Sequence, residues 1–164
     1  MNYQRAARHL LTTPWEVRRA FPSSTLQAIE LAIAESERSH GAEIRFAVEG
    51  ALHGTRLLRG QSARERALEL FSHLRMWDTE HRNGVLIYLL LADHALEIVA
   101  DRGAHVRIGT EAWEEACRQM QAAFAQGEYH RGAVDGIRAV SLHLGKHFPA
   151  RKKDNELPDR PVVL

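Results

Sequence analysis

Cysteine is almost absent. Cys117 is the single thiol in 164 residues, so neither an internal disulfide nor a thiolate metal cluster can form. A disulfide-built secreted fold is excluded, and the chain needs no oxidising compartment. Long apolar runs are also missing. The longest, from Val85 to Ala92, falls far short of the roughly 20 residues that cross a bilayer, so no transmembrane segment is expected. Near the start, Leu10-Leu11 is followed at once by Thr12-Thr13-Pro14. That is too short for the apolar stretch of about 7–15 residues in a signal peptide, and the expectation is an untargeted, soluble, cytoplasmic protein. Charge of one sign is not in surplus either. Lys and Arg number 22 against 21 Asp and Glu, a formal charge of +1, which removes any global electrostatic argument for nucleic acid. No glycine-rich phosphate loop, Walker pattern, Asp-x-Asp nucleophile or His-Glu-x-x-His occurs, so no nucleotide or organic cofactor is expected.

What is present reads as one domain. Apolar residues make up 45% and charged residues 26% of the chain, an ordinary globular balance with room for a core. Residues 1–21 form a basic N-terminal segment whose helical spacing is broken by Pro14. A helix with Leu26, Ile29 and Ile33 on one face should start at Ser23 or Ser24 as N-cap and stop at Gly41. Glu43 to Glu49 alternates, with Ile44, Phe46 and Val48 on one side and charges on the other, which predicts a strand with one wetter face. After a loop from Gly50 to Gly60, Ser62 and Glu65 make a capping box for a second helix. Gly84 to Ala92 is a continuous apolar run suited to a strand buried on both faces. It turns at Asp93-His94 into an alternating strand through Leu96, Ile98 and Ala100, forming a β-hairpin. Arg102-Gly103 ends the hairpin in a loop, and two further helices follow, one with Thr110 as N-cap and a stop at Gly127, the other carrying Ala133, Ile137, Val140 and Leu144. Residues 22–149 thus form the domain, and residues 150–164 an extended tail. The long helical crossover makes the first two strands parallel. The predicted class is α/β: an α/β/α sandwich with a small mixed sheet containing a hairpin and helices on both faces.

This order, with Arg82-Asn83-Gly84-Val85-Leu86-Ile87 after a helix and Gly127-Glu128-Tyr129-x-x-Gly132 before the last one, resembles the TPM-domain family over roughly residues 22–147. Members of that family include a thylakoid-lumen protein with acid phosphatase activity, a photosystem repair factor and an animal modulator of acetylcholine receptors. The resemblance implies the same sandwich and a divalent-cation site near the strand ends, without fixing an activity. The chain departs from the family pattern in two respects. It shows no export signal or anchor, and Val99-Ala100-Asp101-Arg102-Gly103 stands where many relatives carry a glycine pair after the hairpin.

The candidate cation ligands are Asp78, Glu80 and Asn83, three oxygen donors in one turn-like loop, with Asp101 returning to the same sheet edge across the hairpin. Calcium or magnesium needs several such oxygens. Asp93 lies at the opposite end and should not join them. The competing reading, that Asp78 caps a turn and Glu80 faces solvent, stays open. His143 and His147 share a helix face but fit surface positions better than a zinc site. His73 and His81 flank the acidic loop but suit calcium or magnesium poorly. Cys117, between Trp113 and Met120 in a helix, reads as structural. Basic clusters lie at Arg5, Arg8, His9, Arg18 and Arg19, and at Arg151-Lys152-Lys153. The first is interleaved with Leu10, Leu11 and Trp15, so it suits either a solvated face or an anionic surface or acidic partner. Three functions remain. The first is a non-enzymatic accessory module that binds a membrane-associated protein partner and holds a divalent cation. The second is a metal-dependent acid phosphatase-like hydrolase using Asp78 and Asp101. The third is a self-associating structural protein without ligand, joined through the hairpin edge.

Overall fold

The structure is a computed structural model that describes residues 3–150 and 155–164. The basic run Arg151-Lys152-Lys153 lies outside the described residues. β1 (Glu43–Glu49), β2 (Gly84–Leu90), β3 (Ala95–Ala100) and β4 (Val162–Val163) form a mixed sheet in the order β3-β2-β1-β4. β1 is parallel to β2 and to β4, and β2 and β3 form the antiparallel hairpin. Its turn is a short 3-10 segment, Leu91–Asp93, closed by His94 at φ +50°.

Strand alternation explains the two layers of helix. Ile44, Phe46 and Val48 of β1, with Val85, Ile87 and Leu89 of β2, face one core. It is closed by α3 (Ser23–Ser39), α7 (Thr110–Ala125) and α8 (Tyr129–His147). The opposite faces, through Ala47, Leu86, Tyr88 and Leu90, meet α5 (Ala63–His73). β2 is therefore apolar throughout because both of its faces are covered. The helix faces read from spacing are observed: Ile137, Val140 and Leu144 of α8 are wholly buried, and Ser62 with Glu65 caps α5 reciprocally. The α/β/α sandwich is thus the architecture of the chain.

Five local expectations are corrected. α3 is preceded by Pro22, with no Ser23 or Ser24 side-chain cap, because proline at that position already sets the extended φ that a capping residue needs. Thr110 opens α7 as its first helical residue, and Gly109 at φ +87° precedes it. The hairpin does not end in a loop. Asp101 starts an extra helix, α6 (Arg102–Ile108), while α4 (Thr55–Leu58) interrupts the Gly50–Gly60 loop. Finally, β1 has no wetter face. All seven of its residues are buried, because α5 and the returning tail cover the side that carries the charges. The described part of the tail, residues 155–164, docks on the domain. Leu157 enters the α5-side core, the Leu157 amide donates to the Glu43 carboxylate at 3.2 Å, and Val162 and Val163 pair with Ala47 and Val48.

Burying Glu49 requires partners. Arg66 of α5 donates to its carboxylate at 2.8 and 3.2 Å, and the Tyr88 hydroxyl donates to it at 2.8 Å. Burial, then the carboxylate beside it, pushes the phenol pKa above its ordinary value. At the other end of the hairpin, α1 (Tyr3–Leu11), which α2 (Pro14–Ala20) follows, is fastened through Asp93. Arg5 donates to that carboxylate at 2.7–3.1 Å and His9 Nε2 lies 3.0 Å from it, while the Leu52 amide donates to His9 Nδ1 at 2.9 Å. Accepting at Nδ1 assigns the remaining ring proton to Nε2, which donates to Asp93.

Two predictions follow from these pairs. Arg66→Ala should lower unfolding free energy by about 3–5 kcal/mol, because it strands Glu49 in the core. Chemical denaturation should show that loss, and Glu49→Leu combined with Arg66→Met should recover most of it. Burial opposes the charge on Asp93, but the Arg5 and His9 hydrogen bonds outweigh it, with Arg8 at 3.7 Å, and hold the carboxyl below its ordinary value. A carboxyl depressed in the fold stabilises above its unfolded-chain pKa of about 3.9 and ceases to do so as pH falls through the folded value. The amide resonances of residues 3–11 should therefore report release of α1 below about pH 4, and Asp93→Asn should release it at neutral pH.

Candidate functional site

The site is the sheet edge where β2 begins and β3 ends. The Asp101 amide donates to the Gly84 carbonyl at 2.8 Å, which brings Asp101 beside Asn83 although 18 positions separate them in the sequence. Asn83 is wholly buried. Its side-chain amide donates to the Gly41 carbonyl at 2.9 Å, and its backbone amide donates to Thr79 Oγ1 at 3.1 Å. The strand is thereby fixed to the end of α3 and to the preceding loop. Asp101 caps α6, with Oδ1 accepting from the Arg102 amide at 2.6 Å.

Each of these two residues keeps one unused side-chain oxygen. Asn83 Oδ1 and Asp101 Oδ2 are buried and without a hydrogen-bond partner among the described residues. An unsatisfied buried acceptor costs about 1–3 kcal/mol. Two such acceptors lie at this one edge, where an ordered water or a cation could meet them. The backbone crowds the same spot. A Cβ on Gly103 would lie 2.4 Å from the Arg82 carbonyl oxygen and 2.7 Å from that of His81, so glycine alone lets α6 close on these two carbonyls. Gly84 is equally constrained, at 2.1 Å from the Met76 carbonyl oxygen, which gives a packing reason for the Asn-Gly at the strand start. A small cavity of about 110 Å³ adjoins the edge, bordered by Gly41, His81, Asn83, Arg107 and His147.

Asp78 and Glu80 sit on the outer rim of the loop with their side chains exposed. The Glu80 amide donates to the Glu156 carboxylate of the tail at 2.8 Å. The edge thus unites Asn83 and Asp101, while Asp78 and Glu80 stand outside it. Among the described residues no group of three or more His, Cys, Asp or Glu side chains is placed to hold a metal. Any cation here would rest on an amide oxygen, one carboxylate and backbone carbonyls, a set suited to calcium or magnesium rather than zinc. His147 is exposed and His143 half-buried. Burial foremost, then Glu97, pushes the Cys117 thiol up to about 11, so it is not a ready nucleophile. The helix cap at Asp101 and the close approach at Gly103 were not read from sequence. The available signal was Asp101 followed by Ala104 and Ile108 at helical spacing.

Family and structural comparisons agree with this architecture. Residues 18–142 match the TPM domain, and the chain belongs to the TPM-domain family. It is similar to the BA42 protein of the psychrophilic bacterium Bizionia argentinensis, known from an NMR structure. The two share 30% identity and superpose with a TM-score of 0.78, over 88% of this chain and 95% of that one. The N-terminal domain of a P. gingivalis protein shares the fold at 17% identity and a TM-score of 0.58, over 75% of this chain and 76% of that one. No curated protein matches the chain. The family match leaves out all of α1, most of α2 and all of β4. No helix among the described residues is long and apolar enough to cross a membrane.

Gly103→Ala should displace the His81–Arg82 carbonyls and cost about 1–3 kcal/mol, as overpacking does elsewhere. Thermal melting would show the loss, and NMR shifts confined to residues 79–84 and 101–105 would locate it.

Proposed function

We propose that the chain is a non-enzymatic binding module whose partner-facing loop is ordered by a divalent cation at the β2–β3 edge. The observation that carries this reading is the pair of buried, unpartnered oxygens on Asn83 and Asp101. A calcium or magnesium ion would take both, with the backbone carbonyls of His81 and Arg82 as further donors and Asp78 and Glu80 adding negative charge from the rim. Trp77, 55% exposed on the same loop, is an apolar anchor for a protein partner, and a membrane-associated partner suits the family resemblance. The self-association reading gains less support. Arg64 donates to the outward carbonyl of Ile98 at 2.8 Å, placing a charged side chain over the middle of the free β3 edge.

Titration with calcium, magnesium or manganese followed by NMR is the test. Binding should shift residues 78–84 and 101–103. Asp101→Asn, which keeps a capping oxygen and removes the charge, should weaken it at least roughly tenfold. A flat titration would defeat the proposal. Hydrolysis of a phosphate monoester that needs the same metal and is lost in Asp101→Asn would move the reading to the hydrolase.

A further inference from the structure

We propose that α1 and α2 are a peripheral docking surface for an anionic lipid bilayer. The inner face of α1 is committed to the domain, through His9, Arg5 and the half-buried Ala6. Its outer face carries Tyr3, Ala7, Leu10 and Leu11, spaced i, i+4, i+7 and i+8 along one stripe. Tyr3, Leu10 and Leu11 are 75–80% exposed. α2 repeats the division. Val17 is buried, while Trp15 is 64% exposed and Arg18 and Arg19 stand in solvent. Four large apolar side chains thus lie open within 13 residues, whereas the other exposed ones among the described residues are scattered from Leu31 to Leu164.

Charge identifies the occupant. Arg8, Arg18 and Arg19 are exposed around these apolar groups. The only acid between Tyr3 and Ile29 is Glu16, and its carboxylate is turned back to accept from the Thr13 amide at 2.8 Å. The Arg19 guanidinium lies 5.4 Å over the Trp15 ring, pairing a cation with the aromatic that favours a membrane–water interface. A second copy of this chain fits poorly, because a twofold contact through this face would set the same arginines against one another. An anionic bilayer satisfies both components: apolar side chains enter the headgroup boundary while arginines meet phosphates. The surface sits at the hairpin turn, the end opposite Asn83 and Asp101, so this inference stands apart from the cation site.

The test is co-sedimentation of the full chain with vesicles of phosphatidylcholine alone, or of three parts phosphatidylcholine to one of phosphatidylglycerol, at physiological salt. The protein should pellet with the anionic vesicles only, lose binding as salt rises, and be unaffected by EDTA. Tryptophan emission should shift to the blue on binding, and Trp15→Phe should abolish that shift although Trp77 and Trp113 remain. Removing two interfacial cations in Arg18→Ala/Arg19→Ala should weaken binding about thirtyfold. Leu10→Ser/Leu11→Ser should weaken it at least roughly tenfold, and both variants should melt like the parent, since these side chains are exposed. Absent or charge-independent vesicle binding would overturn the proposal. So would a dimer in light scattering that Leu10→Ser/Leu11→Ser dissolves, or capture by poly-glutamate without capture by vesicles.

Discussion

β1 is the constraint on which the rest of the structure depends. It is a strand of seven residues, all buried, and three of them, Glu43, Arg45 and Glu49, are charged. Removing a charge from water is costly unless hydrogen bonds replace the water, so each carboxylate recruits a different part of the chain. Glu49 takes Arg66 from α5 and Tyr88 from β2, and Glu43 takes the Leu157 amide from the tail. Burial pulls the Arg45 pKa down while Asp159 of the tail opposes the shift. The strand is held in register by its apolar face, and its polar face determines which elements lie against it.

That arrangement explains what could be read from the residues. Patterns complete within a few positions were legible: the apolar run of β2, the alternation of β3, the Ser62–Glu65 box and the inward stripe of α8. Even the meeting of Asn83 and Asp101 followed, because hairpin pairing is local. The second face of β1 was not legible. Alternation of charge signals water only if nothing covers that side, and the cover comes from residues 155–164, whose two-residue strand carries no period of its own. The Arg5–His9–Asp93 anchor was hidden for the same reason. Its members are more than 80 positions apart, and nothing in a run of basic residues says that one of them will be buried.

The candidate site shows the limit of composition as a guide. Four oxygen-bearing residues were singled out for their type and nearness in sequence. The fold sorts them into two whose unused oxygens are buried at the edge and two that remain on the rim. The sorting is done by backbone, through the Asp101–Gly84 hydrogen bond and the glycine at 103 that admits neighbouring carbonyls. The hairpin thus has two chemically distinct ends. One gathers oxygens, and the other gathers arginines and exposed apolar side chains around Asp93.

The β1–β4 pairing has a consequence for biosynthesis. The Glu43 carboxylate and the Leu157 amide that meets it are 114 residues apart. At typical elongation rates of about 5–20 residues per second, the ribosome needs on the order of ten seconds to travel that distance. For that interval β1 is translated but lacks its outer neighbour, and a parallel edge with buried-type charges faces solvent or a chaperone. The sheet can close fully only after synthesis has passed β4, which makes the nascent chain, rather than the finished fold, the state most exposed to wrong strand pairing.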